Sequence, residues 1–388
     1  MISPLTIFLV FLRLGLTSFG GPVAHLGYFR TELVERRRWI DEATYADLIA
    51  LSQFLPGPAS SQVGIAIGSI RAGLAGGLAA WLGFTLPSAL IMIGVAYGVK
   101  VLGDPASSWL HGLKVVVVAV VAQAIWQMAQ RLCPDRLRAS IAIGAAMLLL
   151  IWPDAWVQLL VIGLGGVAGW RLLRAADRNG AVVLSPITPR TGLAFGALFA
   201  VVLGGSLLAT FSDNTTLVLL AGMVRSGSLV FGGGHVVLPL LEPVVVGSGL
   251  LNAETFIAGY GAAQALPGPL LSFSAYLGAV VAVPPSGWLG GILALIAIFL
   301  PSFLLVWAAL PFWAELRAQP AAQAAMNGIN AAVVGILLAA LYQPVITSAI
   351  RGPIDVALAI SAFAALHLWQ VPPWAVVIGW AVIGGVVG

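Results

Sequence analysis

The sequence predicts an all-α polytopic membrane protein, built as an inverted-topology repeat with broken, re-entrant helical hairpins. Three observations predict it. First, the 388 residues are 60% hydrophobic and only 8% charged, whereas soluble domains carry about 25% charged residues. Second, two unusual segments occur twice. Arg13-Leu14-Gly15-Leu16-Thr17-Ser18-Phe19-Gly20-Gly21 returns as Arg225-Ser226-Gly227-Ser228-Leu229-Val230-Phe231-Gly232-Gly233. Likewise Gln53-Phe54-Leu55-Pro56-Gly57-Pro58 returns as Gln264-Ala265-Leu266-Pro267-Gly268-Pro269. Third, equivalent loops differ in charge: residues 30–38 hold four arginines and 242–250 none, while 131–138 hold three and 347–354 only Arg351. Basic loops stay on the cytoplasmic side, so the second copy is expected upside down.

The repeat runs beyond these motifs. Gly76-Gly77 matches Gly290-Gly291, Leu86-Pro87-Ser88 matches Leu300-Pro301-Ser302, and Gly112-Leu113-Lys114 matches Gly328-Ile329-Asn330. The offset drifts only from 212 to 211 to 216 residues. Residues 1–175 are read as the first membrane repeat, 176–213 as a basic linker and connecting span, and 214–388 as the second, inverted repeat.

Residues 4–29 and 45–70 are expected as hairpins entering from the cytoplasm, because Phe19-Gly20-Gly21-Pro22 and Pro56-Gly57-Pro58 interrupt them midway. Proline removes a backbone donor and evicts the carbonyl one turn earlier, and glycine lets the chain reverse. Spans come next at 73–100 (kinked at Pro87), 110–130, 139–152 and 155–170, taking roughly 20 residues as the spanning length. Residues 191–212 supply the odd crossing that inverts the second copy, with its hairpins at 216–241 and 254–283 and its spans at 286–313, 325–346, 354–369 and 373–388. That makes nine crossings and four hairpins, with the N-terminus inside and the C-terminus outside.

Charge placement fits this path. Of the 18 Lys and Arg, 15 lie within residues 1–190, in clusters read as cytoplasmic: Arg30 with Arg36 to Arg38, Arg131 with Arg136 and Arg138, and Arg171, Arg174, Arg178 and Arg190. Trp39, Trp109, Trp152, Trp156, Trp170 and Trp313 stand near expected span ends, as interfacial anchors do. The segment from Met1 to Phe11 lacks the basic n-region of a signal peptide.

At membrane depth, a helix that restarts after a break presents unpaired N–H groups and a positive dipole end, which attract an anion. Four such restarts are expected, with Ser60 and Ser272 just behind two of them and Gln53 and Gln264 offering amide donors. Arg13 and Arg225 lie six residues before their Phe-Gly-Gly turns. Arginine at the helix centre costs about 2.5–3.5 kcal/mol, so the pair would cost roughly 5–7; an oxyanion recovers this through charge-assisted bonds. The alternatives are snorkelling or a structural carboxylate partner.

His25 and His235 lie just beyond the two turns but do not align with each other; each is read as either structural or a coupling group, as is Glu242. Asp47 carries the same ambiguity, and Lys114 either points into a cavity or snorkels. The expected substrate-binding set is Arg13, Arg225, Phe19, Gly20, Gly21, Phe231, Gly232, Gly233, Gln53, Pro56, Gly57, Pro58, Ser60, Gln264, Pro267, Gly268, Pro269 and Ser272.

Other classes are disfavoured. A single Cys133 excludes an intrachain disulfide and a cysteine zinc site. The sequence lacks a Walker A motif, a dinucleotide-binding glycine fingerprint and a His-Glu-x-x-His metal motif. Neither a cofactor nor a metal is expected, and the net charge of +4 sits in short inter-helix runs that do not indicate nucleic acid. A membrane-embedded enzyme would need an activated nucleophile or metal cluster, and none is visible.

On Phe19-Gly20-Gly21-Pro22 with His25, Gln53 with Pro56-Gly57-Pro58, Phe231-Gly232-Gly233-Gly234, and Gln264 with Pro267-Gly268-Pro269, the chain resembles the chromate ion transporter (CHR) family in its long, two-domain form. The resemblance implies a secondary transporter in the bacterial cytoplasmic membrane that exports chromate and confers chromate resistance. Sulfate, also a tetrahedral dianion, is the alternative substrate, and an anion channel on the same scaffold is the alternative mechanism. A homodimer is left open.

Overall fold

The computed structural model describes residues 2–102, 107–173 and 185–387. Arg174, Arg178, the expected boundary at 175/176 and the side chain of Trp109 lie outside the described residues. The elements described are all helical, and the chain is an all-α polytopic membrane protein. Five of the helical stretches are long and apolar enough to cross a membrane unaided: Ala59–Val99, His111–Leu132, Pro189–Phe211, Gly287–Arg317 and Pro320–Ala349.

The first copy opens with α1 (Pro4–Thr17) and α2 (Gly21–Phe29), continued by a π-helical turn (Arg30–Arg36). The 14 residues of α1 extend roughly 21 Å at 1.5 Å per residue, short of a hydrocarbon core of about 30 Å. Next come α3 (Glu42–Phe54) and α4 (Ala59–Leu102). Asp41 caps α3 by accepting the Thr44 N–H at 2.8 Å, as Oδ1 of the matching Asn252 accepts from Thr255 at 2.7 Å; such caps satisfy donors that a helix start leaves unpaired. α4 is two helices in sequence: Ala72 and Gly73 leave helical geometry (φ −147° and +64°) and separate a short arm from the long span containing Pro87. The first copy closes with α5 (Ser107–Leu132), α6 (Arg136–Ile151) and α7 (Ala155–Leu172).

The connecting helix is α8 (Pro189–Leu208). The second copy repeats the order: α9 (Thr215–Leu229), α10 (Val237–Val245), α11 (Ala253–Gln264), α12 (Phe273–Val280) and α13 (Gly287–Ala309). A short α14 (Trp313–Arg317) leads to α15 (Pro320–Ala340), α16 (Thr347–Ala349), α17 (Pro353–His367) and α18 (Pro373–Val387).

Packing respects the repeat in pairs. α1 lies on α4 as α9 lies on α13. A Cβ on Gly15 would meet the Phe84 carbonyl oxygen at 2.6 Å, and one on the matching Gly227 would meet the Ile298 carbonyl oxygen at 2.0 Å. The copies also exchange their last helices: α6 and α7 pack on α15, while α17 and α18 pack on α5. Gly328 of α15 admits the Gly165 carbonyl oxygen at 2.1 Å from its missing Cβ, and Gly112 of α5 admits the Trp380 carbonyl oxygen at 2.3 Å. Backbones approach this closely only where side chains are absent, which is how helices associate in lipid.

Ion pairs join the copies. Asp47 of α3 receives Arg317 of α14 at 2.6 Å, and Lys114, only 2% exposed, meets Glu254 at the start of α11 at 3.3 Å. Lys114, read in the sequence as either cavity-lining or snorkelling, is held here by that carboxylate. Trp39 and Trp313, expected as interfacial anchors, are buried at 7% and 4% exposure, whereas Trp152, Trp156 and Trp170 are more than half exposed. Trp313 packs edge-on against Phe54 at 5.8 Å; position near a span end does not fix which way a ring points.

Candidate functional site

The four helix breaks meet. The Gly57 N–H donates to the Val230 carbonyl at 2.6 Å, and the matching Gly268 N–H donates to the Ser18 carbonyl, the counterpart of Val230, at 3.0 Å. Each bond ties a Pro-Gly-Pro tip of one copy to a Phe-Gly-Gly tip of the other. Glycine is required at both donors, since φ is +137° at Gly57 and +96° at Gly268, a region that side chains disfavour. A Cβ at Gly57 would also fall 2.2 Å from Gln62 Nε2, which holds the turn by donating to the Pro56 carbonyl at 2.7 Å.

Two adjoining cavities surround these tips. The wider, of 330 Å³, is lined by Gly20, Pro22, Gln53, Gly57, Ala59, Gly232, Gly233, His235 and Asn330, and by Gln127, Met128 and Arg131 of α5. The narrower, of 80 Å³, is lined by Gly20, Gly21, Pro22, His235, Gln264, Gly268 and Leu270, again with Gln123 and Gln127. They share Gly20, Pro22, His235, Ala124 and Gln127. The restarts at Gly21 and Ala59 line this space, and in the second copy the short 3-10 turns ahead of α10 and α12 reach it through His235 and Leu270, which brings positively polarised helix starts to its border.

α5 supplies what the tips lack. Gln123, Gln127 and Arg131 stand four residues apart, on one helical face, and form a polar stripe along both cavities. Arg131 is the one fixed positive charge among the described lining residues. Gln123 Oε1 and Asn330 Oδ1 are buried without a hydrogen-bond partner; a side-chain amide has a donor and an acceptor end to turn toward a ligand. The histidines part company. His235 Nδ1 lies 3.0 Å from the Tyr260 hydroxyl and 3.3 Å from Gln264 Nε2, and the residue lines both cavities. His25 is buried beside Ser60, with Nδ1 3.3 Å from its hydroxyl, and packs edge-on against Phe84.

Of the residues expected here, Gly20, Gly21, Gln53, Gly57, Gly232, Gly233, His235, Gln264 and Gly268 line the two cavities. Pro56, Pro58, Ser60, Pro267, Pro269, Ser272, Phe19, Phe231 and His25 stand outside the lining. Phe19 turns to Trp374, 6.0 Å between rings, and Ser60 and Ser272 are buried at 2% exposure. Neither expected arginine reaches the cavities. Arg225 donates to the Ser206 carbonyl and, at 2.8 Å, to the Thr210 hydroxyl; Arg13 borders a separate cleft. Glu242 lines another cavity with Asp154, Gln158 and Gln343. Gln123, Gln127, Arg131 and Asn330 were not expected at the site. Arg131 reads in sequence as a loop charge, and only its four-residue spacing from the glutamines signals the stripe.

Comparison with known proteins gives these features a family context. A family profile described as Chromate transporter matches residues 5–170 and 217–385. The chain is 28% identical over 375 residues to a chromate transport protein of Pseudomonas aeruginosa, covering 94% of this chain and 87% of that one. It is 27% identical over 370 residues to a chromate transport protein of Cupriavidus metallidurans, covering 92% and 86%. A probable chromate transport protein of Synechococcus elongatus is 28% identical over 337 residues, covering 85% and 82%. No solved structure matches the chain.

Proposed function

The chain belongs to the chromate transporter family, and on that premise we propose that it is a secondary transporter exporting chromate across the bacterial cytoplasmic membrane, so conferring resistance. The observation that carries the reading is the paired cross-bonding of the tips, Gly57 to Val230 and Gly268 to Ser18, around cavities bordered by helix starts and one fixed cation. Chromate would enter the wider cavity, where Arg131 supplies charge-assisted hydrogen bonds and Gln127 and Gln53 supply amide donors. The tips would bind it through backbone N–H groups. With the two copies inverted, the wider cavity, with Arg131 at the end of α5, would open to the cytoplasmic side.

A carrier is favoured over a channel because the broken helices stand at the interface of the two copies, where Gly20, Pro22, Gln127 and His235 line both cavities. Alternating access then requires the two copies to rock, with the cross-bonded tips as the fixed point; broken helices at a repeat interface suit this motion. Uptake of radiolabelled chromate into inverted membrane vesicles, with the pH gradient and voltage imposed separately, tests the proposal. Saturable, gradient-driven accumulation that unlabelled chromate competes away is expected. Non-saturating conductance would indicate a channel, and stronger competition by sulfate than by chromate would reassign the substrate.

A further inference from the structure

Repeat-related Arg13 and Arg225 begin from the same backbone setting, with Gly15 and Gly227 seated on matching carbonyls, yet their guanidinium groups meet different surroundings. Arg225 is satisfied by Ser206 and Thr210 at the end of α8, a helix with no counterpart in the first copy. The arms of its hairpin also close on each other, for Ser226 donates to the Leu240 carbonyl at 3.0 Å. In the first copy the matching arms stand apart. They leave a cleft of 680 Å³ lined by Arg13, Thr17, Ala24, Gly27, Tyr28 and Arg36, among others.

Among the described residues, no hydrogen bond or ion pair engages the Arg13 guanidinium. Nothing stands within 4 Å of the position a Cβ would take on Gly27. Glu32 also lines the cleft and its charge acts on Arg13, but its direct partners are Arg37 at 2.7 Å and Arg36 at 3.5 Å. On α1 the arginine shares its face with Leu5, Leu9 and Leu16, which are 66%, 54% and 53% exposed. It is a cation set in an exposed leucine stripe, beside an open cleft that Arg36 also lines.

We propose that this cleft is a binding site for the phosphate of an anionic phospholipid, with Arg13 and Arg36 on the phosphodiester and an acyl chain along Leu9 and Leu16. A charged side chain at membrane depth persists when it is paired or faces a polar ligand, and basic pockets between membrane helices on the cytoplasmic side accept acidic headgroups. The lipid does for Arg13 what α8 does for Arg225. Free inorganic oxyanion could offer the same oxygens, but the leucine stripe and the splayed arms commit the site to lipid.

Native mass spectrometry of the full chain, released from detergent after titration with phosphatidylglycerol, phosphatidylcholine or inorganic sulfate, tests this. Phosphatidylglycerol is expected to bind at least about tenfold more tightly than phosphatidylcholine. Arg13→Gln should abolish that preference, and Arg13→Lys should retain part of it. Gly27→Leu, which fills the cleft without touching charge, should weaken phosphatidylglycerol binding while the protein stays folded. Arg36→Gln provides a second charge variant at an exposed position should Arg13→Gln fold poorly. An undiminished preference in both Arg13→Gln and Gly27→Leu, or in Arg36→Gln and Gly27→Leu if Arg13→Gln does not fold, would overturn the proposal. So would sulfate adducts that Arg13→Gln removes while lipid binding persists.

Discussion

Arg225 donates to a carbonyl and a hydroxyl on the end of α8 and the turn after it, so its work is to fasten the connecting helix to the second hairpin. Hydrogen bonds to a charged group contribute about 1.5–3 kcal/mol each. Arg225→Gln should therefore lower the melting temperature in detergent by several degrees while leaving the KM for chromate near that of the parent; thermal denaturation and vesicle uptake together check this. A raised KM at unchanged stability would return Arg225 to the substrate. The sequence marked both embedded arginines as costly, and so worth explaining, but not which way they point. That depends on helix rotation and on α8, which no repeat-based comparison could supply. Gln123, Gln127 and Arg131 show the reverse case. Their spacing was readable, but Arg131 sits in a basic run whose topological role masked a second one.

The breaks themselves were the most legible elements. Proline and glycine leave a local signature, and the observed helix ends at Thr17, Phe54, Leu229 and Gln264 fall at or just before the Phe-Gly-Gly and Pro-Gly-Pro motifs. Their mutual contact was not legible as bonds, because Gly57 to Val230 and Gly268 to Ser18 link positions distant in sequence. Left-handed or extended positive-φ backbone costs a non-glycine residue on the order of 1–3 kcal/mol. Gly57→Ala and Gly268→Ala should each destabilise the protein by about that amount and depress transport. Gly57→Ala should be the worse of the two, since its Cβ would collide with the Gln62 amide. Equal stability of both variants with the parent would show that the tips are not held by these bonds.

Across the whole molecule, each copy is completed by the other: α5 carries α17 and α18, and α15 carries α6 and α7. Separate expression of residues 1–175 or 214–388 is accordingly not expected to give a folded half. Opposite orientation of the copies has its own check. In a Cys133→Ser background, single cysteines at Glu35 and Ser248, in repeat-related loops, should react with an impermeant thiol reagent from opposite sides of the membrane. Reaction from the same side would mean a parallel repeat. Loop arginines are the basis of that expectation, because basic loops stay on the cytoplasmic side. The exchange of terminal helix pairs was not readable, because apolar helices of similar composition carry no sequence label for their partner.

On the proposed reading, chromate is bound by the hairpin tips together with the α5 stripe, and not by the two repeat-matched arginines. Equilibrium binding of radiolabelled chromate to the purified protein tests it most directly, comparing Arg131→Gln with Arg13→Gln and Arg225→Gln, each shown to be folded. Loss of a charge-assisted bond of about 1.5–3 kcal/mol predicts affinity reduced tenfold or more in Arg131→Gln, with the other two binding as the parent does. Parental affinity in Arg131→Gln, with binding lost in Arg13→Gln or Arg225→Gln, would contradict it.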